Sequence, residues 1–210
     1  MASDIFDAIQ TGDFHRLREL APAGEASARN DEGVSALMFA RYLGREDIAD
    51  ELRPYAGELD VFEAATFGDI ARLRALLDAD PGLAQARSAD GFTALHFAVF
   101  FGPLEAAKLL VERGADIEAV ATGSIPVRPL HSAATARKRE AAELLLDAGA
   151  DVNAVAEGGF TPIHSAAQNG DAGLVRLLLD RGADPTIATD DGRTAVELAG
   201  DNEEVAALLG

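Results

Sequence analysis

Apolar positions along this chain gather into short helical stretches that come in pairs, and the pairs recur. Thr93-Ala94-Leu95-His96, Pro129-Leu130-His131 and Thr161-Pro162-Ile163-His164 each open an alanine-rich stretch. Each is followed by a second stretch rich in leucine: Leu109-Leu110, Leu144-Leu145-Leu146 and Leu177-Leu178-Leu179. The histidines stand 35 and 33 residues apart. A period near this length, with one short turn and two apolar helical segments per repeat, predicts a solenoid in which no repeat buries its own apolar face and the neighbours complete the core.

The ends of these segments carry matching signals. A threonine before the first helix can cap its free N–H groups, and Pro129 and Pro162 fall in the first turn, where a missing N–H costs nothing. Gly102 and Gly170 are expected to close the first helix in a left-handed C-terminal cap, and Gly114, Gly149 and Gly182 to do the same for the second. The N-terminal half repeats less openly. Asp4-Ile5-Phe6-Asp7-Ala8 with Gly12-Asp13 returns as Asp60-Val61-Phe62-Glu63-Ala64 with Gly68-Asp69 at an offset of 56. Ala28-Arg29, Gly33 and Ala36-Leu37 return as Ala86-Arg87, Gly91 and Ala94-Leu95 at an offset of 58. Seven helix-pair repeats are therefore expected, starting near residues 4, 33, 60, 91, 127, 159 and 192, the first and last acting as caps.

Gly91-Phe92-Thr93-Ala94-Leu95-His96 through Gly114-Ala115-Asp116-Ile117, Gly149-Ala150-Asp151-Val152-Asn153-Ala154, and Gly159-Phe160-Thr161 through Gly182-Ala183-Asp184-Pro185 resemble the ankyrin-repeat family. The resemblance implies an all-α solenoid of stacked helix-turn-helix units with β-turn or hairpin tips, here as one domain over residues 1–210. It also implies that His96, His131 and His164 are structural, each bonded to its threonine and the neighbouring turn.

Composition narrows the function. Eighteen Lys and Arg against 36 Asp and Glu leave a formal charge of −18, which argues against nucleic acid, because phosphate binding depends on clustered cations. There is no cysteine, hence no disulfide, thiolate metal site or cysteine nucleophile. No run approaches the roughly 18 apolar residues of a membrane span, and Met1-Ala2-Ser3-Asp4 does not open a signal peptide, so a cytoplasmic monomer is expected.

Metal or catalytic use of the histidines is disfavoured. Packed helices lie about 8–10 Å apart, whereas zinc needs nitrogen ligands within about 2.1 Å of one centre. Met38 and Glu197 stand at the histidine position in the second and last repeats, as a packing role allows. Adjacent helical residues point about 100° apart, so His131-Ser132 and His164-Ser165 do not form nucleophile–base pairs. No nucleophile elbow, phosphate loop or HExxH occurs. Neither a catalytic residue nor a cofactor is expected.

Binding remains. The resemblance places partner-facing side chains at the tips, beside the threonine and at the end of the first helix: Val34, Tyr42, Leu43, Thr66, Phe67, Asp90, Phe92, Phe100, Phe101, Val127, Thr135, Ala136, Glu157, Phe160, Gln168, Asn169 and Arg193. The apolar ones cluster in repeats two to four, with Phe92 and Phe101 the best contacts and Phe97 assigned to the core. The fifth repeat departs from the pattern. Arg128 holds the threonine position and is a further candidate contact, and Arg137-Lys138-Arg139 stands where glycine opens the loop elsewhere. A non-glycine forced left-handed at Arg137 costs roughly 1–2 kcal/mol. The expected function is a non-catalytic module that holds another protein on its concave face. The alternatives are a dedicated inhibitor or regulatory subunit of an enzyme, and an enzyme with an unrecognised site.

Overall fold

A computed structural model describes residues 4–210. Its fourteen helices follow one another as seven pairs among the described residues: α1 (Asp4–Thr11) and α2 (Phe14–Leu20), α3 (Ala36–Tyr42) and α4 (Glu46–Leu52), α5 (Val61–Phe67) and α6 (Ile70–Ala79), α7 (Ala94–Phe100) and α8 (Leu104–Glu112), α9 (Pro129–Thr135) and α10 (Arg139–Asp147), α11 (Pro162–Gln168) and α12 (Ala172–Asp180), and α13 (Ala195–Leu198) and α14 (Glu203–Leu209). These pairs fall at the expected repeat positions. No helix among the described residues is long and apolar enough to cross a membrane.

The chain divides into two compact units, one ending at Glu63 and the other running from Ala64 to Gly210. In the first, α1 packs on α2 and α3, and α4 packs on α2 and α3. Ile5, Ile9, Leu17, Leu37, Ile48 and Leu52 form its core. In the second, the first helices α7, α9, α11 and α13 lie side by side in one row, and α6, α8, α10, α12 and α14 in another. Leu95, Leu110, Leu130, Leu145, Ile163, Leu174 and Leu178 are buried between the rows. Each contributes about 1.5–3 kcal/mol. Small residues at Ala98, Ala133, Ala134, Ala166 and Ala167, all buried, let the first helices approach closely.

The helix ends follow the sequence signals with one correction. Asp69 and Asp171 accept from the N–H groups of Arg72 and Leu174, both at 3.0 Å, and so cap α6 and α12. Gly170 precedes its cap with a φ of 67°, as expected. Gly102 does not adopt the left-handed conformation assigned to it from sequence. A Cβ there would overlap the carbonyl oxygen of Ala65 and the backbone of Ala98, so glycine is required by close approach and not by its backbone angle. Arg137, at the equivalent place in the fifth repeat, does turn left-handed, with a φ of 58°. It is the one non-glycine to do so among the described residues.

The tips before α3, α7 and α13 are short hairpins. Single antiparallel bridges join Arg29 to Ser35, Arg87 to Thr93 and Ala188 to Thr194. Before α9 and α11 the tips close instead through one bond each: Ala121 N–H to the Val127 carbonyl at 2.9 Å, and Ala156 N–H to the Phe160 carbonyl at 2.7 Å. At the end of the first compact unit, Asp60 accepts from the N–H groups of Phe62 and Glu63, both at 2.9 Å. Glu63 reaches back to the Asp60 N–H at 3.0 Å and accepts from the Ser35 hydroxyl at 2.6 Å. The carboxylate can be buried because it has hydrogen-bond donors on both oxygens.

Candidate protein-binding surface

The tips of the second compact unit are held by the buried histidines. His96 Nε2 lies 3.0 Å from the Val127 carbonyl, which can only accept, so this nitrogen carries the proton. Nδ1 is then the acceptor, taking the Thr93 N–H at 3.2 Å and the Thr93 hydroxyl at 2.8 Å. His164 repeats the arrangement, with Nε2 to the Ile187 carbonyl at 3.0 Å and Nδ1 to the Thr161 N–H and hydroxyl at 3.0 and 2.9 Å. His131 keeps only the outer half. Its Nε2 donates to the Phe160 carbonyl at 3.2 Å, but Nδ1 is buried without a partner, because Arg128 has replaced the threonine. In the last repeat Glu197 does the histidine's work, accepting from the Thr194 N–H at 2.8 Å and its hydroxyl at 3.2 Å.

Burial sets the charge of these rings. It pushes the pKa of His96 down to about 4, opposed by the bond to the Val127 carbonyl and aided by Arg87 and His131. His131 and His164 are lowered in the same way, burial again being the main cause. All three rings are therefore neutral at pH 7 and act as fixed donors and acceptors.

Successive tips also bond directly to each other. The Thr122 N–H donates to the Gly91 carbonyl at 3.1 Å, and the Asp190 N–H to the Gly158 carbonyl at 2.8 Å. Arg87 spans two tips, from the Gly91 carbonyl at 3.0 Å to the Val120 carbonyl at 2.8 Å. A second line of side chains, unmarked by the sequence reading, stitches the turns that follow the second helices. Gln85 bonds Gly114 and Asp116, Glu118 accepts from the Asp151 N–H, and Asn153 bonds Gly182 and Asp184. Their common signal was a polar residue at about the repeat spacing, aimed at the next Gly-Ala-Asp turn.

The residues expected to face a partner separate into three groups. Tyr42 and Leu43, in the first compact unit, are exposed at 38% and 45%. In the second, Thr135 and Gln168 are exposed, whereas Phe67, Phe92, Phe100, Phe101, Val127 and Phe160 are half-buried. Phe100 and Phe101 meet edge to face, with ring centroids 4.6 Å apart. Phe92 lies edge-on to His96 at 5.5 Å and Phe97 at 6.0 Å, so one side of its ring belongs to the fold. Phe97 is buried, as expected. Phe160 packs on His164 in the same manner as Phe92 on His96.

The third group is engaged internally. Asn169 donates to the Ala134 and Thr135 carbonyls at 3.3 and 3.1 Å, closing the end of α9. Arg128 donates to the Val155 carbonyl at 3.0 Å and pairs with Glu118 at 3.0 Å. Asp90 accepts from the Ser88 hydroxyl. Thr66, placed at the surface by register, is buried with its hydroxyl unpartnered.

Known families agree with this geometry. Residues 57–121 match the family described as "Ankyrin repeats (3 copies)", residues 128–157 "Ankyrin repeat", and residues 145–199 "Ankyrin repeats (many copies)". A probable E3 ubiquitin-protein ligase of Oryza sativa subsp. japonica, XBOS31, is 47% identical over 62 residues. That stretch is 29% of this chain and 14% of the rice protein, so the likeness spans a small part of that relative's length.

Proposed function

The chain belongs to the ankyrin-repeat family, whose repeats serve as protein-interaction modules, and from that premise we propose that its Ala64–Gly210 unit binds another protein through its tips and the C-terminal ends of its first helices. The observation that carries this reading is the Phe100–Phe101 pair at the end of α7. Two aromatic rings left half-exposed at the end of a helix form an apolar anchor. Such anchors supply most of the binding energy of a protein interface. A buried network of neutral histidines and tip-to-tip bonds holds the surface rigid, so little ordering entropy is lost on binding.

The module is non-catalytic in this reading. The histidines are consumed in holding tips, and their lowered pKa values come from burial within the fold. The relative from rice is named for ligase activity; to this chain, which shares a 62-residue stretch with it, we assign protein recognition alone.

The test is to capture the partner by cross-linking in the native cell, then titrate it against wild type and a Phe100→Ala, Phe101→Ala variant. The variant is expected to bind more weakly by roughly 2–4 kcal/mol, the range of interface hot spots, while keeping its circular dichroism spectrum. Unchanged affinity in a folded variant would remove the aromatic pair from the interface.

A further inference from the structure

The loop between α9 and α10 borders a cleft of about 390 Å³. Its lining combines apolar residues, Ala98, Pro103, Leu104 and Ala141, with Arg137, Lys138 and Arg139, and Glu140 is the one acid among them. Three consecutive cations are unusual in a chain with twice as many acidic as basic residues. Elsewhere in this compact unit Arg113 pairs with Asp78, and Arg181 with Asp147 and Glu143. Arg139 comes within 3.8 Å of Asp171 and lies over Gly173. Arg137 and Lys138 are exposed and have no ion-pair partner among the described residues.

The register shows what these two cations displace. At the same point in other repeats the chain reads Gly12-Asp13, Gly68-Asp69 and Gly170-Asp171, in which glycine takes the left-handed turn and aspartate caps the second helix. In the fifth repeat Arg137 takes the turn at a φ of 58°, and Lys138 leaves α10 without a side-chain cap. Both local devices are absent here, and two positive charges without an ion-pair partner line a partly apolar cleft instead.

We propose that this cleft is a second docking surface, and that it receives an acidic segment of a partner protein in which carboxylates flank an apolar side chain. The apolar side chain fits against Pro103, Leu104 and Ala141, and the carboxylates meet Arg137 and Lys138. Charge complementarity selects this occupant, since Arg137, Lys138 and Arg139 attract carboxylates and repel other cations. Phe100 and Phe101 do not themselves line the cleft, so their alanine variant tests the proposed function while variants of Arg137 and Lys138 test this surface.

The full chain is titrated with a fluorescein-labelled peptide in which glutamates alternate with leucines, and with the same peptide carrying glutamines, at low and high salt. The decisive variant is Arg137→Gly with Lys138→Asp, which restores the glycine–aspartate pair of the other repeats and so folds at least as well as wild type. The glutamate peptide is expected to bind wild type, and to lose affinity at least about tenfold in the variant, in the glutamine form and in high salt. Arg74→Asp, at an exposed position on α6 outside the cleft, makes two of the double variant's three units of charge change and leaves binding within about twofold. Equal binding by the double variant, equal binding by the glutamine peptide, or equal loss in Arg74→Asp would overturn the proposal. Salt-sensitive self-association of wild type without peptide binding would assign the cleft to a second copy of the chain, and overturn it as well.

Discussion

The fourth and fifth repeats share the same two helices and a histidine in the same place, yet hold themselves together differently. In the fourth, Thr93 and His96 satisfy each other, the tip closes with an antiparallel bridge, and Gly102 lets the loop sink against Ala65. In the fifth, Arg128 leaves His131 Nδ1 unpartnered, the bridge is missing, and Arg137 is forced left-handed. Both repeats nevertheless bury their leucines fully, Leu95 and Leu110 in one and Leu130 and Leu145 in the other. Packing between neighbours carries the fold. Local devices are worth about 1 kcal/mol each, and a repeat flanked on both sides can lose several of them.

The largest expected difference is in response to pH. His96 titrates near 4 in the folded chain against about 6.5 when exposed, so the unfolded state binds the extra proton between these values. Its contribution is fully present above about pH 6.5 and is lost as pH falls through about 4, on the order of 3 kcal/mol in all. Urea denaturation at a series of pH values should show this loss, and His96→Gln should remove more of it than His131→Gln. The reverse order would mean that the Thr93–His96 pair does not distinguish the two repeats.

Next in size is the contrast at the loop. Gly102→Ala should cost about 2–3 kcal/mol by overlap with the Ala65 carbonyl, although its backbone angle is one that alanine tolerates. Histidine deletions should follow, with His96→Ala costing about 2–3 kcal/mol, because it strands the Thr93 N–H and removes a bond to the Val127 carbonyl, which keeps the Ala121 N–H, and His131→Ala nearer 1 kcal/mol. Both are read as midpoints of chemical denaturation at pH 7. The smallest effect has the opposite sign: Arg137→Gly should stabilise by about 1 kcal/mol, by relieving the left-handed arginine. A destabilised Arg137→Gly would mean that this side chain makes contacts that outweigh its strain.

The same two repeats show what the sequence discloses. Helix pairs are legible because the stacking period imposes a recurring apolar pattern, and Arg137 could be placed left-handed from register alone. Gly102 could not be read correctly. A glycine kept for its backbone angle and one kept for the space beside it look identical in a sequence, and only the approach of Ala65 separates them. Thr66 failed for the same reason: register put it at the surface, and close packing buried it. Among the candidate contacts, Asn169 and Arg128 were visible as polar residues at the right register, but not as partners of the Ala134, Thr135 and Val155 carbonyls. Those acceptors lie 27 to 35 residues away along the chain, so nothing local to the residue announces them.

The account rests on the tips and first-helix ends being the surface that a partner covers, and hydrogen–deuterium exchange with the captured partner bound and absent measures this directly. Slowed exchange is expected at the tips over residues 88–92 and 156–160 and at the end of α7 around Phe100 and Phe101, with α8, α10 and α12 unaffected along their middles. Protection confined to α8, α10 and α12, with the tips and the aromatic pair exchanging as in the free chain, would contradict it.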